Sequence, residues 1–226
     1  MQNAVDLKFA VSSRPVHSGN AAVHDDYLIR MVDIIMAMAM IVVFTPVMIL
    51  ISIAIFLTDP GPILFRQNRL GRDGAYFPCL KFRTMVVDAE RQLQRILDSN
   101  PEARRSWELD HKLKKDPRIT PIGTFLRRSS LDELPQLFNV LLGDMSLVGP
   151  RPISDAERVR YGRYFQDYCS VRPGITGLWQ ISGRNDVSYR RRVTLDVVFA
   201  RNISLELYLR IAVMTVPAVL FARGSY

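Results

Sequence analysis

Apolar positions crowd into one unbroken block near the start of the chain. From Ile34 to Leu57 no residue carries a formal charge, and about 20 apolar residues in helical form suffice to cross a bilayer core. A buried helix of a soluble protein rarely runs that long without a charge, so the block predicts residence in a membrane. Pro46 stands at its centre, where it removes a backbone donor and collides with the carbonyl four residues earlier. The Thr45 hydroxyl beside it can serve the freed backbone groups. Such a helix either kinks and still crosses, or turns back and leaves on the side it entered. Arg30 precedes the block, and Arg66, Arg69 and Arg72 follow it. Basic residues at both ends lean towards both ends being cytoplasmic, but physics alone leaves the two geometries open.

After the block the pattern shortens. Asp59-Pro60-Gly61-Pro62 is a turn. Ile63 to Phe65 and Ala75 to Phe82 read as extended pieces around Gly71-Arg72-Asp73-Gly74, which predicts a hairpin. Helical spacing returns from Asp88 to about Leu97, and Asn100-Pro101 starts a second short helix reaching about Leu109. Residues 112–123, holding Pro117 and Pro121, read as a loop. A helix is expected around Leu134 to Leu142, then a tight loop from Gly143 to Pro152, then a helix from Asp155 to Tyr168. Residues 172–184 read as a glycine-punctuated loop or hairpin. Tyr189 to Phe199 is an apolar stretch beside Arg190, Arg191 and Arg192, whose triplet reads as a solvated or headgroup-facing side. Ile211 to Ala222, interrupted by Pro217, is too short to span and reads as an interfacial amphipathic helix. The fold class is therefore α+β and predominantly helical, with a small β-hairpin. Residues 1–26, polar and mixed, read as a flexible tail, and 27–226 as one domain that opens with the membrane helix at 27–58.

Charge narrows the partners. Lys and Arg outnumber Asp and Glu by 30 to 22, and the pI is about 9.8, which fits nucleic acid, an acidic membrane or phosphate-bearing substrates. Aromatic interleaving and reader motifs for nucleic acid are missing, so no nucleic-acid partner is expected. Cys79 and Cys169 belong to no CxxC pattern and read as free thiols. His17, His24 and His111 are scattered, which argues against zinc.

The candidate chemistry lies at Ser129-Ser130-Leu131-Asp132-Glu133-Leu134-Pro135. Ser130-x-x-Glu133 fits a capping box, an ordinary reason for acids at a helix start. Placing the cap at Asp132 instead sets Pro135 in the first turn, where no hydrogen bond is lost. Either way, two carboxylates gather where backbone donors suit phosphates and a hard cation. Arg118, Arg127, Arg128 and Arg151 surround this point in sequence, and guanidinium groups bind phosphate oxygens in pairs. Arg151 is the sharpest of them, pinned between Pro150 and Pro152. In the 172–184 stretch, three glycines permit close backbone approach to a ligand.

Taken together these segments resemble the bacterial sugar transferase family, the monotopic phosphoglycosyl transferases. The matching stretches are 65–71 (FRQNRLG), 81–85 (KFRTM), 118–123 (RITPIG), 126–152 (LRRSSLDELPQLFNVLLGDMSLVGPRP) and 172–184 (RPGITGLWQISGR). The compact length and the final Arg223-Gly224-Ser225-Tyr226 are similar to the exopolysaccharide-production branch. The resemblance implies a membrane helix that re-enters, broken at Thr45-Pro46, and an enzyme at the cytoplasmic face of a bacterial inner membrane. Asp132 would be the nucleophile, with Glu133 and Mg²⁺ assisting and both carboxylates serving the metal. Lys81, Arg127 and Arg151 match positions used around phosphates, while Pro173, Gln180 and Arg184 match a loop linked to nucleotide recognition. Arg30 and Asp33 match basic and acidic positions before the membrane helix. The implied substrates are a UDP-sugar, with galactose or glucose foremost, and undecaprenyl phosphate among membrane lipids; homo-oligomerisation is left open. The competing reading is a non-enzymatic basic membrane protein that binds acidic lipid or recruits assembly partners.

Overall fold

A computed structural model of the chain describes residues 19–110, 113, 116–183 and 187–220. Within them helices dominate and strands are few and short. Helix α1 (Gly19–Thr58) begins inside the segment read as a polar tail. It is the one described helix long and apolar enough to cross a membrane, and only 11% of its most apolar stretch is buried. That low burial separates it from the core helix of a soluble protein, whose apolar side chains would be covered.

The expected break at Thr45-Pro46 is corrected: α1 runs through both residues as one uninterrupted helix. The Thr45 hydroxyl donates to the Ile41 carbonyl at 2.6 Å, a back-bond that bends helices without ending them. Residues on both flanks of Pro46 nevertheless pack against the same body. Ala37 lies with Phe77, Cys79, Leu137 and Val140, and Ile51 and Ile55 lie with Phe82 and Leu126. Val42, Val43, Ile49 and Leu50, around the proline, are exposed.

Polar anchors fix α1 to that body. Arg30 donates from Nη1 and Nη2 to the carbonyls of Val140 (2.6 Å) and Leu141 (2.8 Å) at the end of α5 (Gln136–Leu142), where a cation meets the unpaired carbonyls of a helix C-terminus. Asp33, buried, accepts from Ser146 Oγ, the Leu147 N–H and Tyr208 OH at 3.1, 2.8 and 2.5 Å. One carboxylate thus joins α1 to β3 (Ser146–Val148) and α10 (Leu205–Leu220).

The predicted hairpin is present as β1 (Leu64–Leu70) and β2 (Tyr76–Phe82), antiparallel, with Phe65 opposite Lys81. Phe77 and Cys79 point inward and their neighbours outward, the alternation of a half-buried strand. Helices α2 (Ala89–Ser99) and α3 (Pro101–Asp110) follow as the local pattern predicts.

Residues 121–123 are not loop. Helix α4 (Pro121–Ser129) starts there, with the Thr120 hydroxyl accepting from the Gly123 N–H at 3.0 Å and Pro121 in the first turn. Gly123 is required by packing, since a Cβ there would sit 2.0 Å from the Thr84 carbonyl oxygen. Gly123→Ala should therefore destabilise the protein by about 1–3 kcal/mol, the usual cost of overpacking. A thermal melt in detergent checks this; an unchanged midpoint would contradict the packing.

The stretch 143–152 contains β3, which pairs in parallel with β4 (Gly174–Thr176). The described part of that stretch, 172–183, is no hairpin: β4 leads into the short α8 (Leu178–Ile181). Two of the three glycines there admit protein backbone. A Cβ on Gly174 would meet the Gly149 nitrogen at 2.0 Å, and one on Gly177 the Gly149 oxygen at 2.2 Å. The helix expected over 155–168 is divided by Gly162 at φ 50° into α6 (Asp155–Tyr161) and α7 (Phe165–Cys169). Helix α9 (Tyr189–Arg201) buries Val193, Val197 and Phe199. Its arginine triplet splits: Arg190 and Arg191 are exposed, whereas the Arg192 guanidinium lies over the Trp179 ring at 4.7 Å. On α10, Leu209, Val213 and Val216 stay exposed, as an interfacial helix requires.

Candidate active site

The two adjacent acids sit on a 3-10 turn (Leu131–Glu133) between α4 and α5. Neither of the capping arrangements expected from sequence is present. Ser130 adopts a left-handed conformation (φ 58°) that ends α4 and makes no side-chain cap bond. Helix α5 begins after Pro135, again without a side-chain cap. Helix capping therefore does not account for the carboxylates, and the ordinary explanation for them lapses.

What surrounds them is cationic. Lys81, near the end of β2, places Nζ 2.6 Å from Glu133 Oε1, with both side chains about one-quarter exposed. Asn139 on α5 ties β2 to the helix that follows the dyad: it accepts from the Leu80 N–H at 2.9 Å and donates to the Pro78 carbonyl at 2.9 Å. Sequence reasoning passed over Asn139. The available signal was a poor helix former in mid-helix, which often marks a tertiary bond. On the α4 side, Arg127 Nε donates to Thr84 Oγ1 at 2.9 Å. Burial pulls the Arg127 guanidinium's pKa down, and the charges of Asp132 and Asp116 partly offset that.

Arg118 is spoken for. It makes a two-point pair with Asp116 at 2.8 and 2.7 Å, is buried, and lies over the Trp107 ring. Its role is to hold the turn before α4, not to face a ligand.

A small cleft lies between β2, Glu133 and the 151–180 region, and neither Asp132 nor Arg127 is part of its lining. It is lined by Lys81, Glu133, Arg151 and Gln180 from the predicted set, joined by Arg69, Cys79 and Gln136. Residues from four separate sequence motifs thus meet at one opening. Pro173 is buried and serves through its backbone, accepting from the Ser146 N–H at 2.8 Å across the parallel strands. Gln180 donates to the Ile175 carbonyl at 3.1 Å while its Oε1 has no partner among the described residues. Arg184 lies outside the described residues.

Electrostatics drives the two acids apart. Burial and then the neighbouring Glu133 charge raise the Asp132 pKa, against the pull of Lys81 and Arg127. Burial also works to raise Glu133, but Lys81, Arg151 and hydrogen bonds from Lys81 and Gln136 outweigh it and hold that carboxyl low. Two adjacent acids with opposed shifts are a frequent arrangement where carboxylates do chemistry.

The composition of the site suits a hard divalent cation in one respect and limits it in another. Mg²⁺ is commonly held by one or two carboxylates together with substrate phosphates, and Asp132 and Glu133 supply two. No cluster of three or more His, Cys, Asp or Glu side chains exists among the described residues, so a metal cage made of protein alone is not on offer.

Comparison with known proteins falls on the same segments. Residues 24–222 match the family model described as bacterial sugar transferase. The chain is 45% identical over 197 residues to the exopolysaccharide production protein ExoY of Sinorhizobium fredii, covering 87% of each. It is 46% identical over 200 residues to an undecaprenyl-phosphate galactose phosphotransferase of Salmonella typhimurium, covering 88% of this chain and 42% of that protein. A UDP-glucose:undecaprenyl-phosphate glucose-1-phosphate transferase of Caulobacter vibrioides is 37% identical over 205 residues, 87% of this chain and 71% of the relative. The chain therefore spans less than half the length of some relatives it matches.

Proposed function

The chain belongs to the bacterial sugar transferase family, and from that premise we propose that it moves a hexose 1-phosphate from a UDP-sugar to undecaprenyl phosphate. UMP is the leaving product, galactose or glucose the sugar, and the first committed step of an exopolysaccharide the setting. The observation that carries this reading is the dyad Asp132-Glu133, uncapped and set among Lys81, Arg127 and Arg151 on a body that an apolar helix anchors.

The chemistry follows from charge. A carboxylate oxygen of Asp132 attacks the phosphorus that carries the sugar; the bond to the bridging oxygen breaks and UMP departs with its electrons. An oxygen of the lipid phosphate then attacks the same phosphorus and displaces the Asp132 carboxylate, which restores the enzyme. Dividing the transfer in two lets a water-borne and a lipid-borne substrate use one nucleophile in turn. Lys81 holds Glu133 ionised beside the nucleophile, and Arg127 and Arg151 supply donors for phosphate oxygens. Mg²⁺ held by Asp132 and Glu133 would offset the repulsion between an anionic nucleophile and an anionic diphosphate.

Helix α1 gives the lipid its access. A crossing helix would carry its far end across a core about 30 Å thick, yet Ala37 and Ile55, on either side of Pro46, are both buried against the same body. That packing supports re-entry from the cytoplasmic face through a bend at Pro46 that leaves the helix unbroken, with the exposed middle of α1 and the exposed side of α10 in lipid. The test is UMP release across a panel of UDP-sugars with undecaprenyl phosphate and Mg²⁺ in detergent. Release with one hexose donor is expected; no release with any donor would favour the non-enzymatic reading.

The pH profile carries a signed prediction. Asp132 must be ionised to attack, and its pKa is raised partly by Glu133. In Glu133→Gln that charge is gone, so the Asp132 pKa falls and the acid limb of kcat/KM should move to lower pH, whatever activity remains. A limb that stays put or moves up would contradict the assignment.

A further inference from the structure

Arg69 comes from the first matching motif, and neither the dyad nor the arginines near it in sequence have drawn it into the mechanism. Yet it lines the same cleft as Lys81, Glu133 and Arg151. The cleft wall holds three cations and a single carboxylate, and that carboxylate, Glu133, is taken by Lys81. Arg151 forms no ion pair among the described residues. The Arg69 side chain is 16% exposed and touches one acid, Glu157, through one contact of 3.3 Å from Nη1. Nη2 donates to Gln67 Oε1 at 2.6 Å. A guanidinium has five N–H donors, so much of this one is unspent. Burial, and then the positive charge of Arg151, works against the Arg69 charge, with Glu157 opposing them. Two half-buried guanidinium groups that repel each other across a cleft call for an anion between them.

We propose that Arg69 is a further binding residue of the site, donating with Arg151 to the phosphate oxygens of the donor diphosphate, and that Glu157 positions its guanidinium. This rests on the reading of the chain as a UDP-sugar enzyme. Glu157 suits the positioning task because it is itself held, accepting from the Ser154 N–H and hydroxyl at 2.9 and 3.0 Å at the start of α6. Tyr189 OH reaches its other oxygen at 3.4 Å. Arg69 is thus held by a fixed carboxylate while it lines the cleft with Arg151.

The experiment measures UDP and UMP affinity by calorimetry, and KM and kcat for UMP release, on the full chain in detergent. The variants are Arg69→Gln, Arg69→Lys and Glu157→Gln. Arg69→Gln should weaken UDP by about 10- to 100-fold, the loss of one charge-assisted pair of bonds, and weaken UMP less. Arg69→Lys should fall between, because an ammonium lacks the planar fork. Glu157→Gln should raise KM several-fold with little change in kcat or melting temperature, since Gln also completes a capping box. A merely structural Arg69 would lower the melting temperature and leave the UDP-to-UMP ratio alone. UDP binding by Arg69→Gln within twofold of the parent overturns the proposal. If Arg69→Gln does not fold, a parental KM in both Arg69→Lys and Glu157→Gln overturns it equally. A parent chain that releases no UMP from any donor removes the functional reading first, and this one with it.

Discussion

Asp132→Asn is expected to lower UMP release by at least about 10⁴-fold, the scale on which removal of a nucleophile acts, and to leave the fold intact. The second half follows from the electrostatics already described. Burial and Glu133 raise the Asp132 pKa, so its ionised form is disfavoured in the folded protein relative to the unfolded chain. The sign is that of a raised acid: ionisation of Asp132 costs stability above its folded pKa, and the cost fades as pH falls. An asparagine carries no such cost. The variant should therefore melt at or above the parent temperature near neutral pH, with the difference shrinking in acid. A dead variant that melts well below the parent would speak for a structural carboxylate; an active one would remove Asp132 from the role of nucleophile.

Lys81→Met should reduce kcat/KM by about 10²- to 10³-fold, the range found when one preorganised charge donor is lost from a transition state. Methionine keeps the apolar stem but withdraws the ammonium 2.6 Å from Glu133. Two carboxylates then face each other with only the arginines to steady them. Since Lys81 lowers both acids, both pKa values should rise, and the acid limb should move to higher pH, opposite to the shift expected for Glu133→Gln. Rates measured across pH separate these outcomes. Activity within threefold of the parent on the alkaline plateau would show that the pair is structural.

These two residues also mark where the sequence was legible. The dyad stood out because two acids among arginines break the local charge pattern. Lys81 gave a weaker signal, a cation after a strand-like piece, because only the fold carries it 52 positions to Glu133; its place around phosphates was implied by family resemblance. The hairpin and helices α2 and α3 follow local signals, alternation in one case and cap residues in the others. Helix α4 is hidden in the pattern because Pro121 reads as a loop residue, although a threonine followed by proline is also how helices begin. The parallel pair β3–β4 joins three-residue strands across a long chain separation, and such short runs leave no period to detect. The apparent capping box failed because Ser130 closes the preceding helix instead of opening the next. At Thr45-Pro46 the residue types were read correctly, but the hydroxyl and the packing on either flank let the helix continue.

The most direct measurement is the mass of the chain after incubation with Mg²⁺ and its UDP-sugar when undecaprenyl phosphate is withheld. The account predicts a gain of one sugar phosphate on the peptide holding Asp132, lost when the lipid phosphate is added and never formed in Asp132→Asn. Rapid turnover on adding lipid, with no such adduct at any earlier time, would mean that the two substrates react directly and that Asp132 does not carry the sugar phosphate.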